Sequence, residues 1–129
     1  MTIWIWGFFI LAGSLFTLKM AYVLSTALVL PTTRGALYVS TTRPRIAAFL
    51  QAVNIKPGQF FVDLGCGDGR VLRAIRKKVA VKAVGYELNP LAFLRARIQC
   101  IKDRCIEIRR LDFMKADLSE ADVVFCYLF

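Results

Sequence analysis

Phe61-Val62-Asp63-Leu64-Gly65-Cys66-Gly67-Asp68-Gly69-Arg70 is the stretch on which the fold turns. The apolar run from Phe60 to Leu64 suits a short strand buried on both faces, and the glycines directly after it end that strand and let a helix begin near Gly69. Glycines at such a junction permit positive φ and let a ligand approach the backbone, with helix amides nearby to receive polar groups. A lone G-x-G-x-G is a weak signal. It gains weight from Glu87, 22 residues beyond Gly65 at the end of the next apolar run, where a carboxylate can accept both hydroxyls of an adenosine ribose. The spacing is not the dinucleotide G-x-G-x-x-G, and Asp63 stands where a pyrophosphate would be repelled, which disfavours a nicotinamide oxidoreductase. No G-K-[ST] follows the glycines, so a phosphate-binding P-loop is excluded, and a cationic ligand suits the loop better.

Outward from this loop, strand and helix patterns alternate. Residues 42–54 place Ile46, Phe49, Leu50 and Val53 at helical spacing after a threonine cap and an early proline, and Lys56-Pro57-Gly58 is a turn. A helix is expected from about Gly69 to Lys78 and a strand over Ala80–Glu87. A helix over Pro90–Asp103 opens on the Asn89 cap, and strands follow over Cys105–Arg110 and Asp122–Phe129. Such alternation implies right-handed βαβ units, hence an α/β sheet of about four parallel strands with helices on both faces. The fourth strand runs to the last residue, so the expectation is a chain that stops after the first half of a Rossmann-like sheet.

Toward the N-terminus the character changes. Of the 18 Lys and Arg, Lys19 alone falls within residues 1–33; the other 17 face nine acidic residues in the remainder. Ile3 to Leu18 is free of charge, and from Trp4 to Tyr22 a helix would rise about 27 Å, close to the bilayer's hydrocarbon thickness of about 30 Å. Trp4 and Trp6 would mark one interface, with Tyr22 and a snorkelling Lys19 near the other. The flanking charges Arg34, Arg43, Arg45 and Lys56 all follow this segment, which places the N-terminus outside and the body in the cytoplasm. The expected organisation is a single-pass transmembrane anchor over 1–30, a linker over 31–41 and a cofactor-binding body over 42–129. A buried or interfacial helix pair is the bland alternative for the first segment.

The chain has no histidine, which removes Ser-His-Asp and Cys-His nucleophile systems and His-ligated metals from these 129 residues. Cys66, Cys100, Cys105 and Cys126 form no C-x-x-C pair, so no metal site is expected, and buried reduced thiols are the default reading. Arg70, Arg73, Arg76, Lys77 and Lys78 crowd one body helix, while Arg95, Arg97, Lys102 and Arg104 crowd the next. A solvated face is the ordinary explanation of such a run; the functional one is contact with anionic lipid headgroups beneath the anchor. No aromatic-interleaved platform supports nucleic acid.

At FVDLGCGDGR and Glu87 the sequence resembles the class I S-adenosylmethionine-dependent methyltransferases, over roughly residues 41–129. The run IKPG, DLGCGDGR, GYELNP and Asp112-Phe113-x-x-x-Asp117-Leu118-Ser119-x-x-Asp122 is similar to the membrane-anchored protein-lysine methyltransferases, which include the mitochondrial enzymes acting on ATP synthase and on the adenine nucleotide translocase. The resemblance implies S-adenosyl-L-methionine as cofactor. Gly65, Cys66, Gly67 and Gly69 would turn around its methionine part, with Asp63 on the ammonium and Glu87 on the ribose. Leu88 and Asn89 would flank the adenine or its ribose, and Asp112 with Phe113 would contact the adenine; an ordinary turn cap is the alternative for Asp112. The family commonly handles the methyl acceptor at and after the tip of the fourth strand, where this sequence ends, and the last three strands are expected to be missing. Tyr127 is the visible candidate for orienting an acceptor, through its hydroxyl or its ring face over a cationic nitrogen. The implied acceptor is a lysine on a membrane-associated protein. A lipid or quinone acceptor, and a binding module without activity in this form, stand as alternatives.

Overall fold

The computed structural model describes residues 2–29 and 39–128, and the chain divides into two units, residues 1–35 and 36–129. The expected linker over 31–41 lies largely outside the described residues.

In the first unit, α1 (Thr2–Val29) is one continuous helix. Its segment Trp4–Ser25 is long and apolar enough to cross a membrane, about 33 Å at 1.5 Å per residue. The hydroxyls of Ser14, Thr17 and Ser25 donate to carbonyls three residues back at 2.7–2.9 Å, so none of the three presents an unpaired donor to its surroundings. A helix apolar all round is stable in a lipid or protein interior, and the span Trp4–Ser25 buries none of its apolar window among the described residues.

The second unit begins with α2 (Arg43–Ala52) and continues as β1 (Phe60–Leu64), α3 (Arg70–Lys78), β2 (Lys82–Tyr86), α4 (Pro90–Cys100), β3 (Ile106–Arg109), a 3-10 turn (Phe113–Lys115) and β4 (Val123–Cys126). The four strands are parallel in the order β3-β2-β1-β4. Helix and strand limits are a few residues tighter than the sequence pattern suggests, because chain leaving a strand tip or helix end is drawn into caps and loops.

β1 is central, hydrogen-bonded on both edges, with Asp63 opposite Gly85 of β2 and Phe125 of β4. Alternate strand residues feed two cores. One gathers Phe61 and Ala83 with Ile46 of α2, Leu72 and Ile75 of α3 and Ala96 of α4. The other gathers Val62, Leu64, Val84 and Tyr86 beneath Phe113, Ala116 and Leu118. Phe61, Leu72 and Ile75 are essentially fully buried, each contributing on the order of 1.5–3 kcal/mol. Phe49 pins α2 over the β1–β4 seam, with ring centroids 6.1 Å from Phe61 and 4.6 Å from Phe125. Cys66 and Cys100 are buried as expected, whereas Cys105 and Cys126 are exposed. Cys105 immediately precedes β3 and Cys126 is the last residue of β4, the two edge strands of the sheet.

Candidate cofactor and acceptor site

Strand order reverses at β1, so the crevice beyond its C-terminal end is where an open parallel sheet receives a ligand. Gly65 and Gly67 leave β1 at φ of 74° and 57°, a conformation that a side chain would strain. The amides of Gly65 and Cys66 both donate to the carbonyl of Tyr86, at 2.9 and 3.0 Å, and this folds the loop back across the tip of β2. That brings Gly67 N–H to 2.8 Å from Glu87 Oε2, while Glu87 Oε1 accepts from Asn89 N–H at 2.8 Å. Each carboxylate oxygen therefore keeps a lone pair for one further donor.

Asp63 is 2% exposed, and its Oδ2 has no hydrogen-bond partner among the described residues. Burial, and secondarily the charge of Glu87, raise its pKa from 3.8 to about 8. A buried carboxyl left unpaired is costly, and a cation placed against it would remove the cost. Burial also pushes the Cys66 thiol up, with Asp63 and Glu87 adding to the effect, so it is held neutral.

A cleft at this tip is lined by residues 39–41, Asp63, Gly65, Cys66, Gly67, Asp68, Phe125 and Tyr127, among others. Arg70 clasps it. Its Nε and Nη2 donate to the two oxygens of Asp68 at 2.9 and 2.8 Å, and its Nη1 donates to the carbonyl of Thr41 at 3.1 Å, tying the strip ahead of α2 to the glycine loop. Burial works to raise Asp68, but the Arg70 hydrogen bonds and charge outweigh it and hold the carboxyl below its ordinary value. Across the cleft the Arg45 guanidinium lies 5.2 Å from the centroid of the Tyr127 ring.

The sequence-predicted residues thus divide. Asp63, Gly65, Cys66, Gly67 and Tyr127 share the cleft, and Glu87 joins them through Gly67. Leu88 and Asn89 follow at the β2 tip, where Asn89 Oδ1 caps α4 by accepting from Leu91 and Ala92 N–H. Asp112 caps the 3-10 turn by accepting from Met114 N–H at 3.0 Å, and Phe113 packs on the second core. Gly69, at φ 73°, serves packing: a Cβ there would stand 2.9 Å from Cys100 Sγ and 3.6 Å from Ala96 Cβ. Three features of the site go beyond the sequence reading. The D-x-R spacing of Asp68 and Arg70 could have suggested the clasp, and a glycine inside a strand pattern could have flagged Gly85. A Cβ at Gly85 would meet Cys66 Sγ and Leu72 Cδ1 at 2.6 Å, so its absence lets the loop settle on β2. Nothing local marks Arg45 as a partner of Tyr127.

An unpartnered buried acid for an ammonium, a second acid with lone pairs for vicinal hydroxyls and a bare backbone turn between them fit an adenosine carrying an amino-acid tail. The strand order and these paired tip carboxylates define the Rossmann-like fold of S-adenosylmethionine-dependent methyltransferases. Within that class the chain belongs to the family of the ANTKMT methyltransferase domain, whose model matches residues 63–129. It is 33% identical over 95 residues to a protein-lysine N-methyltransferase of Saccharolobus islandicus, covering 70% of this chain and 59% of that protein. It is 38% identical over 89 residues to a human lysine N-methyltransferase named for ATP synthase, covering 66% and 36%. Among solved structures, an RNA methyltransferase from Salinibacter ruber in complex with S-adenosyl-L-homocysteine superimposes with a TM-score of 0.65 at 34% identity, covering 70% of this chain and 61% of that one. The chain therefore spans between about a third and three-fifths of the length of these relatives, and the family read from the motifs is borne out.

Proposed function

We propose that the body, residues 42–129, binds S-adenosylmethionine and belongs to an enzyme that methylates lysine on a membrane-associated protein, held at the bilayer by residues 1–30 with the body on the cytoplasmic side. The observation that carries the cofactor reading is Asp63, a buried carboxyl at the mouth of a glycine turn whose Oδ2 has no hydrogen-bond partner among the described residues. Support for the acceptor comes from relatives named as lysine methyltransferases of ATP synthase and of the adenine nucleotide translocase. Support for the anchor comes from the apolar segment Trp4–Ser25.

In this reading the bound cofactor supplies an electrophilic methyl group on a sulfonium, and the chain supplies placement and desolvation. Asp63 would hold the ammonium and give up its proton in doing so. Glu87 would accept the ribose hydroxyls on the lone pairs that Gly67 and Asn89 leave open. Leu88, Asn89, Asp112 and Phe113 would border the adenine, and the Gly65–Gly67 turn would keep side chains out of the approach. The Tyr127 face already stacks a guanidinium, so an amine-bearing alkyl chain is a chemically matched occupant, for which Arg45 would have to yield.

The test is to incubate protein and native membranes with methyl-labelled S-adenosylmethionine and divide the label between organic extract and trypsin-sensitive protein. Label in protein, released as methyl-lysine on hydrolysis, is expected. Label confined to extractable lipid would refute the lysine acceptor while leaving methyl transfer standing.

A further inference from the structure

α4 carries its large residues on the wrong side for a core helix. At 3.6 residues per turn, Ala92, Ala96 and Cys100 form its buried stripe. The opposite pole is Leu91, Leu94, Ile98 and Ile101, spaced three, four and three residues apart and 45%, 55%, 63% and 77% exposed. Four aliphatic side chains in one outward ridge are more than isolated surface leucines, and a soluble surface seldom leaves such a ridge uncovered.

The ridge is bordered by cations. Arg95 stands on its α3 side, where it joins Arg43, Arg73 and Lys77 in lining a groove among α2, α3 and α4, and the exposed Lys102 follows Ile101 just past the helix. The acid in that groove, Asp68, is already engaged by Arg70. Among the described residues no carboxylate lies within ion-pair distance of Arg43, Arg73, Lys77 or Arg95. Other basic residues of the same helices are spent elsewhere: Arg76 pairs with Asp103 at 2.9 Å, Lys78 donates to the Leu50 carbonyl, and Arg97 lies over Phe93.

We propose that the outward ridge of α4 and the basic groove beside it form a membrane-surface face, the ridge entering the headgroup layer of an anionic bilayer and the groove's cations lying against lipid phosphates. An apolar ridge with basic flanks is the arrangement of an interfacial helix. Nucleic acid would match the groove but has no use for an outward ridge of leucine and isoleucine. A second copy would match the ridge but, in a two-fold pairing, would set arginines against arginines. The inference rests on the anchor proposed above for delivery to a bilayer and is independent of the cofactor.

The full chain is reconstituted into nanodiscs of phosphatidylcholine with or without phosphatidylserine, and lysine acylation is followed residue by residue by mass spectrometry. Co-elution with the discs reports the anchor separately; if it fails, flotation with phosphatidylserine liposomes tests the face by itself. Lys77 and Lys102 should acylate several-fold more slowly than Lys115, on the opposite face of the sheet, only when phosphatidylserine is present and only at low salt. Leu94→Glu with Ile98→Glu, both at exposed positions, should abolish the protection while circular dichroism stays unchanged. Equal rates for the three lysines under all conditions would overturn the proposal. So would protection that needs no phosphatidylserine and scales with protein concentration, the mark of self-association, or protection conferred only by added RNA.

Discussion

Replacing Asp63 by asparagine separates the charge of this carboxyl from its shape. Burial first and Glu87 second raise its pKa from 3.8 to about 8, so between those values the folded chain holds a proton that the unfolded chain has released. With more protons bound in the native state, stability falls as pH rises across that window, by about 1.4 kcal/mol per unit at most. Below about pH 4 the penalty is absent, and above about pH 8 it is complete. An ammonium lodged against the carboxylate reverses the preference, so binding near pH 6 should expel about one proton. Affinity for S-adenosylmethionine should rise up to about tenfold per unit between about pH 5 and about pH 7. Beyond that the ligand's own amine starts to lose its charge, since an α-amine titrates near about 7.7–8.0. Calorimetry in buffers of different ionisation enthalpy counts the proton directly. Asp63→Asn should bind about 10–100-fold more weakly near pH 7, the equivalent of a charged hydrogen bond of about 1.5–3 kcal/mol, with no proton exchange and a flat pH profile. Its denaturation midpoint should also lose the decline between about pH 4 and about pH 8. A wild-type affinity that is flat from about pH 5 to about pH 7, with heats independent of buffer, would refute the placement of the ammonium on Asp63.

Glu87→Ala should weaken S-adenosylmethionine binding by about 10–100-fold and also lower the stability of the free protein, because the Gly67 and Asn89 amides lose their acceptor; unchanged affinity by calorimetry would remove Glu87 from the site. Gly69→Ala should cost about 2–4 kcal/mol in denaturant unfolding, combining left-handed strain with a 2.9 Å approach to Cys100 Sγ. Adding Cys100→Ala should restore part of that loss, and a double variant no better than the single one would locate the clash elsewhere. Tyr127→Phe should keep an acceptor KM close to wild type, whereas Tyr127→Ala should raise it by about 2–30-fold, the range of a cation–π contact; equal KM values would show that the ring face does not meet the acceptor. Alkaline carbonate should leave the full chain in the membrane pellet, and release into the supernatant would contradict the anchor read from Trp4–Ser25.

The glycine loop was legible because its chemistry is local. Glycines that must take positive φ, a strand ending at Leu64 and an acid one βα unit later are all fixed by neighbours in sequence, and they recover Asp63, Gly65, Gly67 and Glu87 as one site. Contacts made across the fold left no such trace. Arg70 reaches Thr41 over 29 residues and Arg45 reaches Tyr127 over 82, and nothing beside either residue announces its partner. Asn89 and Asp112 show a different limit. A residue whose side chain caps a helix or turn carries the same sequence signature whether or not it also borders a ligand, and the cap geometry here accounts for the pattern at both positions.

α4 shows why apolar periodicity alone cannot orient a helix. Leu91, Leu94, Ile98 and Ile101 are the helical stripe that a pattern reading would turn inward, yet Ala92, Ala96 and Cys100 face the core. The reason lies on the neighbouring helix. Gly69 opens α3 without a Cβ, and one built there would stand 2.9 Å from Cys100 Sγ and 3.6 Å from Ala96 Cβ, so larger side chains at 96 and 100 would be crowded against α3. The buried stripe must therefore be small, and small residues carry little hydrophobic signal, so the large aliphatics on the far side dominate the pattern without contributing to this core. Packing explains why the inner face is small. It does not require the outer face to be leucine and isoleucine, which a solvent-facing helix would fill with Lys, Glu or Gln at no cost in helix propensity. That ridge therefore calls for a contact of its own, and the cations along its flank select an anionic surface as the one that would cover it.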